Sequence, residues 1–237
     1  MPAEIYNVKS FQDYMDFVSE SGNIIQQDLC LFRGQTCDKE LIPSLGRLSL
    51  GNIQKFEKNI FEDFRKRYLA YDPRTFNNDF DLLALGQHYG LPTRLLDWTE
   101  SALVALWFAT EKEITEGDGV VWIFFPNDED ILDKQEQSPF TINSTKVFSP
   151  NHISERITAQ SGWFTCHKLM INENKFLRFE RLKKYKDKLF KLIIPKAIHP
   201  EIRVKLNILG MNAATVYPDL SGLSRHLKWK NLKAERF

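Results

Sequence analysis

The stretch Leu85-Gly86-Gln87-His88-Tyr89-Gly90-Leu91-Pro92-Thr93-Arg94-Leu95-Leu96-Asp97-Trp98-Thr99 concentrates side chains able to do chemistry. A histidine, a tyrosine, an arginine, an aspartate and two threonines are interrupted by two glycines and a proline that force sharp turns. Polar groups flanking a buried strand must be satisfied by one another, by backbone or by a ligand, because an unpaired one costs about 1–3 kcal/mol. A network is therefore implied. His88 reads equally as a semi-buried structural histidine and as a ligand contact. Arg94 and Asp97, three apart in an extended segment, point to opposite faces, so each needs its own partner. Arg33-Gly34 is the second candidate. An arginine ending an apolar run, followed by a glycine that permits close approach, suits bidentate capture of phosphate or carboxylate. A structural salt bridge from Arg33 to Asp97 is the competing use.

Other chemistries lack their signatures. The glycines form neither GxGxxG nor a phosphate-binding GxxxxGK[ST] loop, and GxSxG, HExxH and HRD are absent. His88, His152, His167, His199 and His226 are scattered without ligand spacing, and no cluster of carboxylates presents itself, so no metal is expected.

Apolar periodicity supplies the elements that must hold these residues. Val8, Phe11, Met15 and Val18 predict a helix over about residues 9–20, opened by Ser10 with Asp13 and ended by Ser21-Gly22-Asn23. Leu29 to Phe32 reads as a buried strand delivering Arg33 at its end. Ile53, Phe56, Ile60, Phe64 and Tyr68 mark a second helix capped by Asn52, and a shorter third covers Asp81 to Gln87. Arg94 to Trp98 is a strand, and Thr99 caps a helix through Ala109. Val120 to Phe125, continuously apolar, is a strand buried on both faces. Polar, acidic chain from Pro126 to Thr145 holds one helical turn. Strands are expected at Gly162 to His167 and Lys188 to Ile194, then a helix from Pro195 to Leu209 stopped by Gly210. Ala214 to Tyr217 reads as a last strand and Leu220 to Trp229 as a closing helix.

Composition bounds the rest. In 237 residues, 32 Lys and Arg balance 31 Asp and Glu, giving a net charge of +1 that argues against a surface built wholly for nucleic acid or anionic lipid. With 43% apolar and 13% aromatic residues the chain has the makings of a globular core. The odd set Cys30, Cys37 and Cys166, without CxxC spacing, points to a reducing cytoplasm. The N-terminus lacks a basic and apolar leader, and no apolar run approaches the roughly 20 residues of a membrane span, so no membrane is expected as partner. Without repeats or linkers, a single α+β domain over 1–237 follows, with small mixed or antiparallel sheets and flanking helices. One stretch is polarised: residues 168–196 hold ten Lys and Arg against three acids. It reads as a solvated helix face plus a lysine-guarded strand edge, or as a surface for nucleic acid in which Phe176, Phe179 and Tyr185 are core or stacking groups. Lys183, Lys184 and Lys186 would then matter most.

With Phe32-Arg33-Gly34 and the block Gln87 to Trp98 quoted, the sequence resembles the FRG domain family, named for its Phe/Tyr-Arg-Gly motif. The likeness runs on through Asp97-Trp98-Thr99 to Ala105-x-x-Phe108-Ala109. It continues in Arg156-Ile157-x-x-Gln160-x-Gly162-x-Phe164, in Ile194-Pro195-Lys196 and in Tyr217-Pro218-Asp219-Leu220-x-Gly222, a core of about 28–223. Members are mostly bacterial and phage-associated, which implies a toxin or phage-defence effector.

A more distant similarity is to the ADP-ribosyltransferase superfamily, and it implies NAD as co-substrate with transfer to a macromolecular target. In that family an arginine ends the first core strand, a Ser/Thr precedes a helix reading AxxFA, and an acidic or amide residue lies on a third strand. Arg33 matches the first, Thr99 or Ser101 the second, and Gln160 or Glu155 the third. The implied catalytic set is Arg33, His88, Asp97, Thr99 and Gln160, with Arg33, Gly34, His88, Tyr89, Thr93, Arg94 and Trp98 around the cofactor. Cleaving the nicotinamide–ribose bond passes through an oxocarbenium-like centre that a nearby carboxylate and an arginine on the pyrophosphate stabilise. A glutamate is usual at the third position. With Gln160 there, Asp97 or Glu155 supplies the charge, or the pocket serves as a non-catalytic nucleotide-binding module.

Overall fold

Caps written in the sequence fix most helix boundaries. The computed structural model describes residues 4–25, 29–111, 117–132, 138–151 and 159–234. Strand β1 (Glu4–Asn7) leads into α1 (Phe11–Ile25), where the Ser10 hydroxyl accepts from the Asp13 amide at 3.1 Å. The helix runs through Ser21-Gly22-Asn23 instead of ending there, since glycine or asparagine in a helix costs only about 1 kcal/mol or less. After β2 (Leu31–Gln35), α2 (Ile53–Arg67) is capped by Asn52, and α3 (Asp79–His88) by Asn78. Strand β3 (Leu95–Thr99) turns into α4 (Ala102–Thr110), whose cap is Ser101 and not Thr99.

The second half is richer in strands. In order come β4 (Gly119–Phe124), β5 (Lys146–Phe148), β6 (Gly162–Cys166), the short pair β7 (Leu169–Met170) and β8 (Lys175–Phe176), and β9 (Leu189–Ile194). Helices α5 (His199–Ile208), α6 (Ala213–Val216) and α7 (Leu220–Ala234) follow. Between Pro126 and Thr145 a single helical turn stands at Asp128–Asp130, and residues 133–137 lie outside the described ones.

The sheets are two: one mixed sheet of seven strands, ordered β1-β9-β4-β2-β3-β6-β5, and a separate antiparallel pair formed by β7 and β8. Only β1 and β9 run parallel; the other neighbours are antiparallel. Strand β4 is buried throughout, with period-two alternation sorting its side chains between two cores. Val121 and Ile123 join Tyr14, Phe32, Ala105, Leu192 and Ile202 beneath the helices. Val120, Trp122 and Phe124 join Leu31, Trp98, Phe179 and Tyr185 on the other face. A third cluster, including Phe61, Phe80, Leu83, Phe148 and Phe164, seats α2 and α3 against the β3 end of the sheet. The α+β class is as the sequence implied.

Three expectations are corrected. Ala214 to Tyr217 is not a strand, because the Asn212 side chain accepts from the Ala214 amide and Thr215 Oγ1 accepts from the Asn212 amide, pinning one helical turn despite β-favouring residues. Arg33 sits mid-strand, opposite Trp122. Residues 168–188 form no α-helix, and β9 is internal between β1 and β4, so its lysines guard no edge. Phe176, Phe179 and Tyr185 are core. The basic excess of this stretch is partly offset by acids from elsewhere: Arg178 pairs with Glu40, Lys184 with Glu129 and Asp130, and Lys191 with Asp38, while Lys175 pairs with Glu173 inside it.

A buried polar chain crosses the second core. Trp98 Nε1 donates to Thr165 Oγ1 at 3.0 Å, leaving that hydroxyl's hydrogen for His167 Nε2 at 2.8 Å. Burial, then the charges of Arg33 and Arg94, push the His167 pKa down to about 3. The unfolded chain takes up this proton below about pH 6.5 while the folded protein refuses it. The contribution of His167 is therefore complete above pH 6.5 and is lost as pH falls toward 3, by at most about 1.4 kcal/mol per unit. Urea titrations of the wild type and His167→Gln should show a stability difference that is flat above pH 7 and shrinks below 6.5. A difference that stays constant down to pH 4.5 contradicts the assignment.

Candidate functional site

The site begins as an opening in the sheet. Strand β2 pairs with β4 along its whole length but meets β3 at one pair, Phe32 with Thr99. Arg33 to Gln35 and Leu95 to Trp98 then have no ladder partners in each other, and the Arg33 guanidinium bridges the gap by donating from Nη1 to the Asp97 carbonyl at 2.6 Å. The same nitrogen lies 3.5 Å from Asp97 Oδ2, so both uses foreseen for Arg33 are compatible. Its Nε is buried without a hydrogen-bond partner. Burial draws the Arg33 pKa down, Asp97 opposes this and Arg47 adds to it, yet a guanidinium keeps its proton at any physiological pH.

The close approach expected at Gly34 is present. A Cβ there would lie 1.9 Å from the Ala105 carbonyl oxygen and 2.8 Å from the Ala109 amide nitrogen. What approaches this glycine is the backbone of α4. Gly119 repeats the device one strand over, 2.4 Å from the Ala109 carbonyl oxygen.

On the far side of the opening, α3 ends with Gly90 at φ +91°, where the Gly90 amide bonds to the Gln87 carbonyl and the Leu91 amide to the Gly86 carbonyl. This reversal carries the chain through Pro92 to Thr93, which lies within reach of the helix it has just left. Thr93 Oγ1 accepts from the Leu95 amide and donates to Gln87 Oε1, so the amide of Gln87 presents Nε2 to Asp97 Oδ1 at 2.7 Å. The Asp97 carboxylate is thereby held at one oxygen while remaining 62% exposed.

Two clefts share this floor. One, of about 350 Å³, is lined by Phe32, Arg33, Gly34, Gln87, His88, Asp97, Trp98, Thr99, Phe108, Gln160 and Tyr217. The other, of about 510 Å³, also takes in Arg33, Gly34, Gln87, Asp97 and Phe108 and adds Lys39, Arg47 and Glu111. The first is aromatic in character, with Arg33 and Asp97 as its charged side chains; the second sets Arg33, Lys39 and Arg47 against Asp97 and Glu111.

Arg33, Gly34, His88, Asp97, Trp98, Thr99 and Gln160 thus converge on one cleft. Several are already engaged. Thr99 Oγ1 donates to the Gln160 carbonyl and accepts from the Ser101 amide, and Gln160 Nε2 donates to the Val216 carbonyl at 3.1 Å, which anchors the turn carrying Tyr217. Gln160 stands in the turn before β6, not on the strand as the resemblance implied, and Glu155 lies outside the described residues. The Trp98 ring packs on Phe124 and Phe179, so it offers no stacking platform here. His88 and Tyr89 meet edge to face, centroids 4.9 Å apart, and Tyr89, 66% exposed, does not line either cleft.

Arg94 is elsewhere altogether. Its Nε donates to Glu57 Oε1 at 2.7 Å, Nη2 to Glu57 Oε2 and Nη1 to the Pro139 carbonyl at 2.7 Å. Burial opposes its charge, but the Glu57 carboxylate outweighs that and holds Arg94 protonated. Arg94 is a core ion pair, and Thr93 is a fully buried positioning residue; neither lines the shared clefts.

Residues 28–118 match the family model of the FRG domain. The chain carries an FRG domain. The matched segment supplies Arg33, Gly34, Gln87, His88, Asp97, Thr99 and Phe108, whereas Gln160 and Tyr217 lie beyond it. Strand β4, the full-length partner of β2, begins at Gly119, so the FRG segment completes its sheet only with chain outside its own span. Neither the curated proteins nor the solved structures contain a match to the chain. Among the described residues no group of three or more His, Cys, Asp or Glu is placed to hold a metal, and no helix is long and apolar enough to cross a membrane.

Gln87 and Glu57 are the partners that reading the sequence misses. Gln87 sits inside the quoted block but has no charge to draw notice. Glu57 does leave a trace: it falls at helical spacing between Ile53 and Phe61, a carboxylate on an otherwise buried stripe, and that implies a buried cation facing it.

Proposed function

We propose that this protein is an NAD-using enzyme of the ADP-ribosyltransferase type, which breaks the bond between nicotinamide and ribose and passes the ADP-ribose to an acceptor. The observation that carries this reading is the convergence of Arg33, His88, Asp97, Thr99 and Gln160 on one cleft that opens directly into a cationic neighbour. The cationic part, with Arg33, Lys39 and Arg47, suits the pyrophosphate. The Asp97 carboxylate, steadied by Gln87, suits the positive charge that develops at the ribose C1′ as the C–N bond breaks and its electron pair leaves with neutral nicotinamide. Phe108 and Tyr217 offer ring faces for the departing base. The acceptor's nucleophile then bonds to C1′ and releases its proton. Thr99 and Gln160 act in this scheme by positioning walls, since their donors already bond to backbone.

Incubation with NAD should release nicotinamide, read by chromatography, and adenylate-labelled NAD should mark the acceptor. Asp97→Asn is expected to lower release by about a hundredfold or more, an effect of about 2.7 kcal/mol on the barrier. Saturable NAD binding without turnover by the wild type would support the non-catalytic module instead, and absence of both binding and release would overturn the reading.

A further inference from the structure

Helix α7 has two faces with different uses. The inward one belongs to the fold: a Cβ on Gly222 would stand 1.9 Å from the Tyr217 carbonyl oxygen, His226 stacks on Trp229, and Arg225 pairs with Glu111 at 2.9 Å. The outward one presents Leu220, Leu223 and Leu227, between 44% and 81% exposed and part of no core cluster. Their spacing of three and four residues sets them in one stripe. Lys228 and Lys230 are also exposed, and helical geometry places them on opposite flanks of that stripe. From Leu220 to Ala234 the sequence holds Arg225, Lys228, Lys230 and Lys233 and no Asp or Glu. The acid just before the helix, Asp219, accepts from the Gly222 amide at 2.9 Å. Among the described residues, no carboxylate lies within ion-pair distance of Lys228 or Lys230.

We propose that the outward face of α7 docks on an anionic membrane surface, its leucines at the boundary of headgroups and acyl chains and its lysines on lipid phosphates. The absence of an apolar span does not bear on this, because an interfacial helix needs none. Charge decides between the occupants such a stripe could take. Pairing with α7 of a second copy would bring lysine against lysine with no acid on either helix to answer. Protein interfaces are depleted in lysine, and leucine is under-represented among the residues that carry their binding energy. Leucine flanked by lysine is instead the composition of helices that lie on anionic lipid, where the long lysine stems let the charge reach the headgroups. The proposal is independent of NAD chemistry at Asp97 and stands or falls separately.

Co-sedimentation of the full chain with vesicles tests this, using phosphatidylglycerol mixed with phosphatidylcholine and, for comparison, phosphatidylcholine alone. Binding to the anionic vesicles is expected, weaker by about tenfold or more on the neutral ones and weakened again as salt rises from about 0.1 to about 1 M. Lys228→Gln and Lys230→Gln should each lower the affinity by about fivefold, as the loss of one cation near a charged surface implies. Leu223→Ser with Leu227→Ser should lower it by about tenfold or more, with thermal unfolding by circular dichroism confirming that the fold is kept. Leu69→Ser, at a position 52% exposed beyond the end of α2, should leave it unchanged. Absence of binding to the anionic vesicles overturns the proposal. So does binding that the paired leucine substitutions and both lysine substitutions spare, since another surface would then hold the lipid. A dimer in sedimentation equilibrium that the leucine substitutions dissociate also overturns it, assigning the stripe to a second copy.

Discussion

Gly34→Ala is expected to leave little folded protein. The added methyl group would sit 1.9 Å from the Ala105 carbonyl oxygen, 2.8 Å from the Ala109 amide nitrogen and 2.8 Å from Phe108 Cβ. Overpacked cores commonly lose about 1–3 kcal/mol because side chains can turn aside. Here the obstacle is helix backbone, and α4 cannot retreat without parting from Gly119, where the same helix rests 2.4 Å from a second virtual methyl position. A loss of about 4 kcal/mol or more, against a typical total of about 5–15 kcal/mol, would abolish or nearly abolish the native state. Gly51→Ala is the matched control, since nothing lies within 4 Å of its added carbon. Urea unfolding followed by circular dichroism compares them. A Gly34→Ala midpoint within error of the Gly51→Ala midpoint would show that the close approach is not what requires glycine.

The second large effect is at Glu57. Glu57→Gln leaves the Arg94 guanidinium, 3% exposed, without the carboxylate that fixes two of its nitrogens. Breaking one partner of a buried pair costs about 3–5 kcal/mol, because the remaining charge stays desolvated. The fork is also what ties α2 to the turn before β3 and, through Pro139, to the loop before β5. Replacing both residues, Glu57→Leu with Arg94→Met, should recover much of the loss, as removing a buried pair together is often nearly neutral. If the single variant unfolds within about 1 kcal/mol of the wild type, the pair is not the desolvated clamp described here. Neither substitution should alter the Asp97 cleft directly, since Arg94 and Glu57 face a different cavity.

These two sites show which parts of the molecule local sequence could reveal. Helices α1 to α4 were legible because caps and apolar spacing are local signals, read from Ser10 and Asn52, although the cap of α4 is Ser101 where Thr99 was expected. The requirement for two partners at Arg94 and Asp97 was legible because strand geometry alone separates them, and Glu57 and Gln87 duly answer on different sides. A close approach at Gly34 was legible too, but not that α4 makes it, since that helix lies about seventy residues away and no spacing rule reports that distance. The turn at Ala213–Val216 was misread for a related reason: the decisive bonds come from Asn212 and Thr215 side chains, which compete with β propensity only once the chain is in place. The counter-charges that partly offset the basic 168–196 stretch, Asp38, Glu40, Glu129 and Asp130, were not legible because they are distant in sequence.

The parallel pairing of Glu4–Asn7 with Phe190–Ile193 sets an order of events during synthesis. At roughly 5–20 residues per second, β1 leaves the ribosome on the order of 10 s before the strand it needs. Strands β2, β3, β4 and β6 can assemble meanwhile, and β9 then closes the gap beside β4. The first of the sheet's strands in chain order is thus among the last to dock, holding an edge position with Ile5 still 54% exposed. Nascent chains halted before residue 189 would carry β1 without its partner strand, a ready target for chaperones or proteases until translation resumes.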